Sequence, residues 1–174
     1  MDAETPIRVL HAEDDGGFAE LTATYLARVE DRIDVESVAD VEAALDALAT
    51  GDFDCVVSDY DMPDRNGIEF LEAVRADRPD LPFILFTGKG SEAVASSAIS
   101  AGVTDYLQKG GSADHFELLA NRIVNAVERR RAEREADLWA RAVEASSEGI
   151  AVIGPDGRYT DMNDAYAELH GVDP

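Results

Sequence analysis

Asp54-Cys55-Val56-Val57-Ser58-Asp59-Tyr60-Asp61-Met62-Pro63 is the stretch that decides the fold, because a short apolar run closes on one acid, then a second acid and a proline turn. Cys55-Val56-Val57 is continuous rather than alternating, as in a strand of a parallel sheet covered by helices on both faces. Runs of the same kind recur on either side. Strands are predicted at Ile7–Ala12, Ile33–Val38, Asp54–Ser58, Phe83–Thr87 and Thr104–Leu107, each bounded by Gly, Pro, Asp or charged turns. Helical patterns fall between them, near Gly17–Arg28, Asp40–Ala49, Gly67–Asp77 and Ser91–Ala101, with Gly51 and Gly102 just past two helix ends. The rhythm predicts an α/β domain of five βα units, a doubly wound parallel sheet.

A long helix is expected from about Ala113, because Phe116, Leu119, Ile123 and Val127 recur at three- and four-residue spacing. After Val127 the segment Glu128-Arg129-Arg130-Arg131-Ala132-Glu133-Arg134-Glu135 loses that apolar stripe but keeps strong helix formers, so 128–141 reads as an exposed helical linker. Beyond it, Ala142–Ser146 ends a helix, Gly149–Ile153 and Arg158–Met162 flank a Pro155-Asp156-Gly157 turn as a hairpin, and Asn163–His170 forms a short helix.

Composition narrows the functional classes. The chain has 174 residues, enough for one full core plus an extension, and its 37 acidic against 15 basic residues give a net charge of −22. That charge repels nucleic acid and anionic membranes, so neither is an expected partner of this segment. Only two of the basic residues are lysines, Lys89 and Lys109, and such a lysine-poor acidic surface suits a cytoplasm of high salt. No run of about 18 apolar residues occurs, and the acidic start Met1-Asp2-Ala3-Glu4 is unlike a signal peptide, so a soluble, cytoplasmic protein is expected. The single Cys55 rules out an internal disulfide and reads as core.

In open parallel sheets, ligands bind beyond the carboxyl ends of the strands, near the point where strand order reverses. Glu13, Asp14 and Asp15 follow the first predicted strand, Asp59 the third, Thr87 the fourth and Lys109 the fifth. Clustered carboxylates need a cation, and hard oxygen donors with open positions suit Mg²⁺. Asp14 and Asp59 are the expected direct ligands, Glu13 reaches the ion directly or through water, and the backbone carbonyl of Asp61 completes the protein side. A carboxylate so placed can attack phosphorus in line when a metal and a lysine neutralise the developing charge. Lys109 and Thr87 supply that second side, and Gly88 leaves a route for a phosphodonor. The bland alternative, a set of helix caps and surface acids, accounts for the residue types but not for their spacing along the strands. His11, His115 and His170 have neither zinc-site spacing nor the helix context of a phosphoacceptor histidine, and no catalytic role is assigned to them.

Ala12-Glu13-Asp14-Asp15, Val56-Val57-Ser58-Asp59-Tyr60-Asp61-Met62-Pro63, Phe86-Thr87-Gly88 and Asp105-Tyr106-Leu107-Gln108-Lys109 together resemble the receiver domain of two-component response regulators, over roughly residues 5–127. The resemblance implies a flavodoxin-like fold with strand order 2-1-3-4-5. It further implies phosphorylation of Asp59 by a histidine kinase or phosphotransfer protein, Mg²⁺ dependence, and a switch in which Thr87 turns to the phosphoryl group and Tyr106 moves inward. The family positions that tune phosphoryl lifetime fall here on Asp61 and Lys89, which would pair across the pocket mouth. By the same analogy, the helices near Ser91–Ala101 and Ala113–Val127 with the fifth strand form a partner or homodimer face.

This chain departs from the family pattern in two places. Glu13 stands where Asp is common, and Gly110 follows Lys109 where Pro, after a cis bond, is usual. Without Pro a cis bond costs about 3 kcal/mol. A trans bond, a looser loop and a less well positioned Lys109 are expected.

The segment 142–174, with Gly149-Ile150-Ala151-Val152-Ile153, Pro155-Asp156-Gly157-Arg158 and Asn163-Asp164-Ala165-Tyr166, resembles the start of a PAS domain. It covers two strands and one helix of a module of about 100 residues, so a truncated, poorly packed piece of a longer chain is expected. A Mg²⁺-dependent phosphohydrolase of the haloacid-dehalogenase type shares the acid-x-acid pair Asp59-Tyr60-Asp61, but carries it after the first strand. A degenerate receiver that serves only as a docking module is the other alternative, with Gly110 as its support.

Overall fold

The computed structural model describes residues 5–88, 91–110 and 113–171. Its elements, in order, are β1 (Ile7–Ala12), α1 (Gly16–Val29), β2 (Ile33–Val38), α2 (Val41–Thr50), β3 (Cys55–Ser58), α3 (Gly67–Asp77), β4 (Phe83–Thr87), α4 (Glu92–Ser100), β5 (Asp105–Gln108), α5 (Asp114–Glu144), β6 (Ala151–Ile153), β7 (Tyr159–Met162) and α6 (Asp164–His170). The first five strands form one parallel sheet in the order β2-β1-β3-β4-β5. This is the flavodoxin-like arrangement, and the order reverses between β1 and β3, which places a crevice at their carboxyl ends.

The continuous apolar runs are explained by burial on two faces. Alternate residues of β1, β3 and β4 point to opposite sides of the sheet. Leu10, Ala12, Val56, Phe83 and Leu85 join Phe70, Leu71 and Val74 of α3 in one core, while Ile7, Val9, Cys55, Val57, Ile84 and Phe86 join Leu26 of α1 and Phe116, Leu119 and Ile123 of α5 in the other. Edge strand β2 has only one fully buried residue, Ile33, and its polar side chains face solvent.

Helix starts are set by side-chain caps. Asp15 accepts the Phe18 N–H at 3.1 Å, Asp40 the Ala43 N–H at 2.7 Å, and Asn66 forms a capping box with Glu69 at the head of α3. Asp15 is thus a cap rather than a member of the acidic cluster. Gly67, the first residue of α3, lies so close to the preceding loop that a Cβ there would meet the Asp59 carbonyl oxygen at 2.2 Å.

α5 continues through 31 residues without a break, so the predicted linker and the short stretch after it belong to one helix. Its buried residues stop at Val127. The chain divides into two compact units, Met1–Arg130 and Arg131–Pro174.

In the second unit β6 and β7 form an antiparallel pair around Gly157, whose φ of +79° suits glycine. Among its described residues only Asn163 and Ala167 are buried. Asn163 ties the unit together: its Oδ1 accepts the N–H groups of Ile150 at 2.8 Å and Tyr166 at 3.0 Å, and its Nδ2 donates to the carbonyls of Val143 at 2.9 Å and Glu148 at 3.0 Å. No helix among the described residues is long and apolar enough to cross a membrane.

Candidate functional site

The site stands where three strands end together. The ladder runs one residue past each strand: Asp59 N–H donates to the Ala12 carbonyl at 2.9 Å, Glu13 N–H to the Val38 carbonyl at 2.9 Å, and Lys109 N–H to the Thr87 carbonyl at 2.9 Å. These bonds set the backbone from which the charged side chains project. Glu13, Asp14 and Asp59 each offer a carboxylate oxygen, and the three lie within 4.8 Å of one another. Lys109 Nζ donates to Glu13 Oε2 at 2.5 Å and to Asp59 Oδ2 at 2.8 Å, and it lies 4.4 Å above the ring of Phe18. Asp59 Oδ1 accepts the N–H of Tyr60 at 2.6 Å.

Burial makes the electrostatics severe. Glu13 and Asp59 are buried, whereas Asp14 is exposed at the mouth. Loss of water around Glu13 pushes its carboxyl above the usual range; the hydrogen bond and charge of Lys109 oppose that rise, and the charge of Asp59 adds to it. One ammonium faces three carboxylates, so when all are ionised the cluster carries an excess of two negative charges, which a divalent cation would match. The donor set is hard oxygen with one open, solvent-facing side, which fits Mg²⁺ in preference to a thiolate- or imidazole-seeking metal.

The other predicted residues fall around this centre. Thr87 is fully buried at the end of β4, and Asp61 is exposed two residues beyond Asp59. Tyr106 packs against the core on the α2, α3 and α4 side, and its buried hydroxyl has no hydrogen-bond partner among the described residues. Lys89 lies outside the described residues, and so does its expected pairing with Asp61.

The bond after Lys109 is trans, as expected without proline, but Gly110 does not unseat Lys109. Lys109 is bonded to two carboxylates, and no peptide bond is cis among the described residues. The imidazole of His115 lies where a side chain at position 110 would be, 1.9 Å from an added Cβ, so only glycine lets the ring pack there. His115, Phe18 and Gly67 all shape the site, and none was singled out from the sequence for doing so. The steric need at Gly67 has a faint local signal, a glycine directly after the capping Asn66. The His115 contact has none.

His11 lies within the same cluster. It is 1% exposed, its Nε2 stands 3.9 Å from Glu13 Oε2, and neither ring nitrogen has a hydrogen-bond partner among the described residues. Burial, reinforced by the charge of Lys109, lowers its pKa to about 4, so the ring is neutral near pH 7.

Known proteins place the chain in a family. The chain is 38% identical over 120 residues to the C4-dicarboxylate transport transcriptional regulatory protein DctD of Rhizobium meliloti, an alignment covering 69% of this chain and 25% of that protein. It is 35% identical over 89 residues to the transcriptional regulatory protein FixJ of Bradyrhizobium diazoefficiens, covering 51% of this chain and 43% of FixJ. The DNA-binding transcriptional regulator NtrC of Rhizobium meliloti is 26% identical over 169 residues, 97% of this chain and 33% of NtrC. The chain therefore spans between a quarter and under half of the length of these relatives.

Among solved structures, the Francisella response regulator 1452 receiver domain superposes with a TM-score of 0.62 at 28% identity, covering 71% of this chain and 98% of that one. The signal receiver domain of a Luxo repressor protein from Vibrio parahaemolyticus gives a TM-score of 0.68 at 24% identity, covering 75% and 97%, a likeness of fold. The PAS domain profile matches residues 137–173. The response regulator receiver domain profile matches residues 9–121, well over half of the chain, and the protein belongs to that family.

Proposed function

We propose that Asp59 is the phosphoacceptor of this receiver domain and that Glu13, Asp14, Asp59 and the backbone carbonyl of Asp61 hold Mg²⁺ beside it. The observation that carries this reading is Lys109 bridging Asp59 and Glu13, with Asp14 adjacent, at the carboxyl ends of β1, β3 and β5. Receivers are signalling phosphoacceptors rather than conventional turnover enzymes. Mg²⁺, when bound, neutralises charge on the phosphoryl oxygens. An Asp59 carboxylate oxygen attacks the phosphorus of a phosphohistidine on a histidine kinase or phosphotransfer protein. The new O–P bond forms as the P–N bond breaks, and the imidazole leaves with its electron pair. Lys109 moves to the phosphoryl oxygens and offsets their charge, while the backbone bonds of Asp59 and Glu13 keep the site in place.

Thr87 then reports the new phosphoryl group. Buried at the end of β4, its hydroxyl turns toward a phosphoryl oxygen, and Tyr106, already packed on the core side, follows inward. Asp61 and Lys89 tune the lifetime of the acyl phosphate. The signal passes through α4, β5 and α5 to a partner or a second copy.

We divide the chain into a receiver at 5–127, a helical linker at 128–141 and a PAS-like segment at 142–174. Its placement is a cytoplasm of high salt, as the acidic surface suits. NtrC is a DNA-binding regulator by name; the strong negative charge of the present segment argues that it does not itself contact nucleic acid.

The alternatives are weaker. The acid-x-acid pair follows β3 rather than the first strand, which disfavours the phosphohydrolase, and Lys109 remains engaged with Asp59 despite Gly110, which disfavours a degenerate docking module. Incubation with acetyl phosphate and Mg²⁺ should add one phosphoryl group by intact-mass measurement, lost in Asp59→Asn and on chelation. Uptake undiminished in Asp59→Asn would sink the proposal.

A further inference from the structure

His11 is a buried polar side chain beside the acidic cluster that phosphoacceptor chemistry leaves without a task and that has no hydrogen-bond partner among the described residues. An unsatisfied buried polar group costs about 1–3 kcal/mol, and an apolar residue would fill the same strand position without that cost. Residues 11 and 13 lie two apart near the end of β1, so both side chains leave the same face of the sheet. His11 Nε2 stands 3.9 Å from Glu13 Oε2, just beyond hydrogen-bond reach.

That same oxygen is held by Lys109 at 2.5 Å, and Lys109 also holds Asp59 at 2.8 Å. Both carboxylates have other work in the proposed reaction, because Asp59 takes phosphorus and Glu13 faces the cation. Once Lys109 turns to the phosphoryl oxygens, Glu13 Oε2 is left buried without its donor, which is costly. The His11 ring beside it has no hydrogen-bond partner of its own among the described residues.

We infer that His11 is a positioning residue for Glu13: as Lys109 leaves, the neutral imidazole donates its Nε2–H to Glu13 Oε2 and keeps that carboxylate aimed at the divalent cation. The inference rests on the phosphoacceptor reading of this site. Closing the gap to an ordinary hydrogen bond takes about 1 Å of movement. Partners of this outer kind commonly change metal affinity by roughly 10–100-fold.

Isothermal titration of the whole chain with Mg²⁺ in the presence of beryllofluoride, which stands in for the phosphoryl group and draws Lys109 away from Glu13, tests it, using the wild type, His11→Phe, His11→Gln and Asp14→Asn. Phe keeps a ring of similar size without a donor, and Gln carries an amide N–H near the place of Nε2. The expected result is Mg²⁺ binding about 10-fold weaker in His11→Phe, mostly restored in His11→Gln, with no loss of metal-free melting temperature in His11→Phe. A purely structural role would lower that temperature and would not be rescued by Gln.

Wild-type affinity in His11→Phe, or equal weakening in both His11 variants, overturns the inference. Should His11→Phe fail to fold, the ring-nitrogen NMR of the wild type decides. Mg²⁺ with beryllofluoride must then move the His11 Nε2 resonance into the range of a hydrogen-bonded N–H, and an unmoved resonance overturns the inference. Binding lost in Asp14→Asn but unchanged in His11→Phe defeats the role of His11 and leaves the phosphoacceptor reading standing. Absence of Mg²⁺ binding by the wild type defeats both.

Discussion

The two compact units of this chain hold themselves together by opposite means. Met1–Arg130 buries a sheet on both faces, with Phe83, Leu85, Phe86 and Ile84 wholly or almost wholly shielded from water. Among its described residues Arg131–Pro174 buries little: Val152, Ile153, Tyr159 and Leu169 are all exposed, and the hydrogen bonds of one buried asparagine join its hairpin, its last helix and the end of α5. A doubly covered sheet supplies a rigid rim on which charged groups can be aimed. A lone hairpin and helix supply no such rim, since an isolated two-stranded pair is marginal in water.

The largest effect should separate the two kinds of order directly. Phe83→Ala removes a fully buried ring that packs edge-on against Phe70 at 5.3 Å, and should destabilise the receiver by about 4 kcal/mol. Ile153→Ala, at a side chain 59% exposed, should change stability by less than about 0.5 kcal/mol. Urea unfolding of the full chain measures both, and comparable losses at the two sites would erase the contrast.

Acid should sharpen it. His11 has a folded pKa lowered to about 4 against an ordinary 6.5, because burial, then the charge of Lys109, disfavour the imidazolium, while Asp59 opposes them. A depressed folded pKa means that the unfolded chain takes up the proton first. The contribution is therefore fully present above pH 6.5 and is lost as pH falls toward 4, by about 3 kcal/mol in all. Glu13, Lys109 and Asp59 are the charged neighbours, so the effect must be read as the difference between wild type and His11→Phe, which should shift in favour of the variant across that window. Parallel pH curves for the two proteins would dispose of the idea.

Local pattern carried most of the receiver and little of what joins its parts. Ile7–Ala12 and Phe83–Thr87 match the observed strands throughout, because a strand buried on both faces writes its burial into consecutive residues; edge strand Ile33–Val38 matches too, and the other two runs lie within one residue of theirs. The charged rim was legible for a topological reason: a parallel sheet brings all strand carboxyl ends to one side. Long-range packing was not legible. Beyond a glycine placed directly after the capping Asn66, nothing near Gly67 announces that it must lie against the Asp59 carbonyl, and nothing near Gly110 announces the His115 ring. The apolar stripe ends at Val127, and the segment after it reads as an exposed helix; α5 does run on, since strong helix formers without Gly or Pro maintain a helix after its buried face is gone. Asn163 read as the start of a short helix; that its amide also reaches Val143 and Glu148 depends on a turn of chain that no local pattern encodes.

The smallest of these effects is also the most local. Asn163→Ala leaves the Ile150 and Tyr166 N–H groups and the Val143 and Glu148 carbonyls without their shared partner, at a site 1% exposed. Water can reach some of those groups in so open a unit, which limits the loss to about 2 kcal/mol. Asn163→Asp separates the two halves of the amide: its oxygens still accept from Ile150 and Tyr166, but nothing donates to the two carbonyls. Amide hydrogen exchange on the intact chain should quicken across 143–167 in both variants, more in Ala than in Asp, while the protection of β1, β3 and β4 stays unchanged. If protection in the parallel sheet fell together with that of the hairpin, the second unit would be a structural part of the first, and the contrast between a core-built domain and a hydrogen-bonded appendage would have to be abandoned.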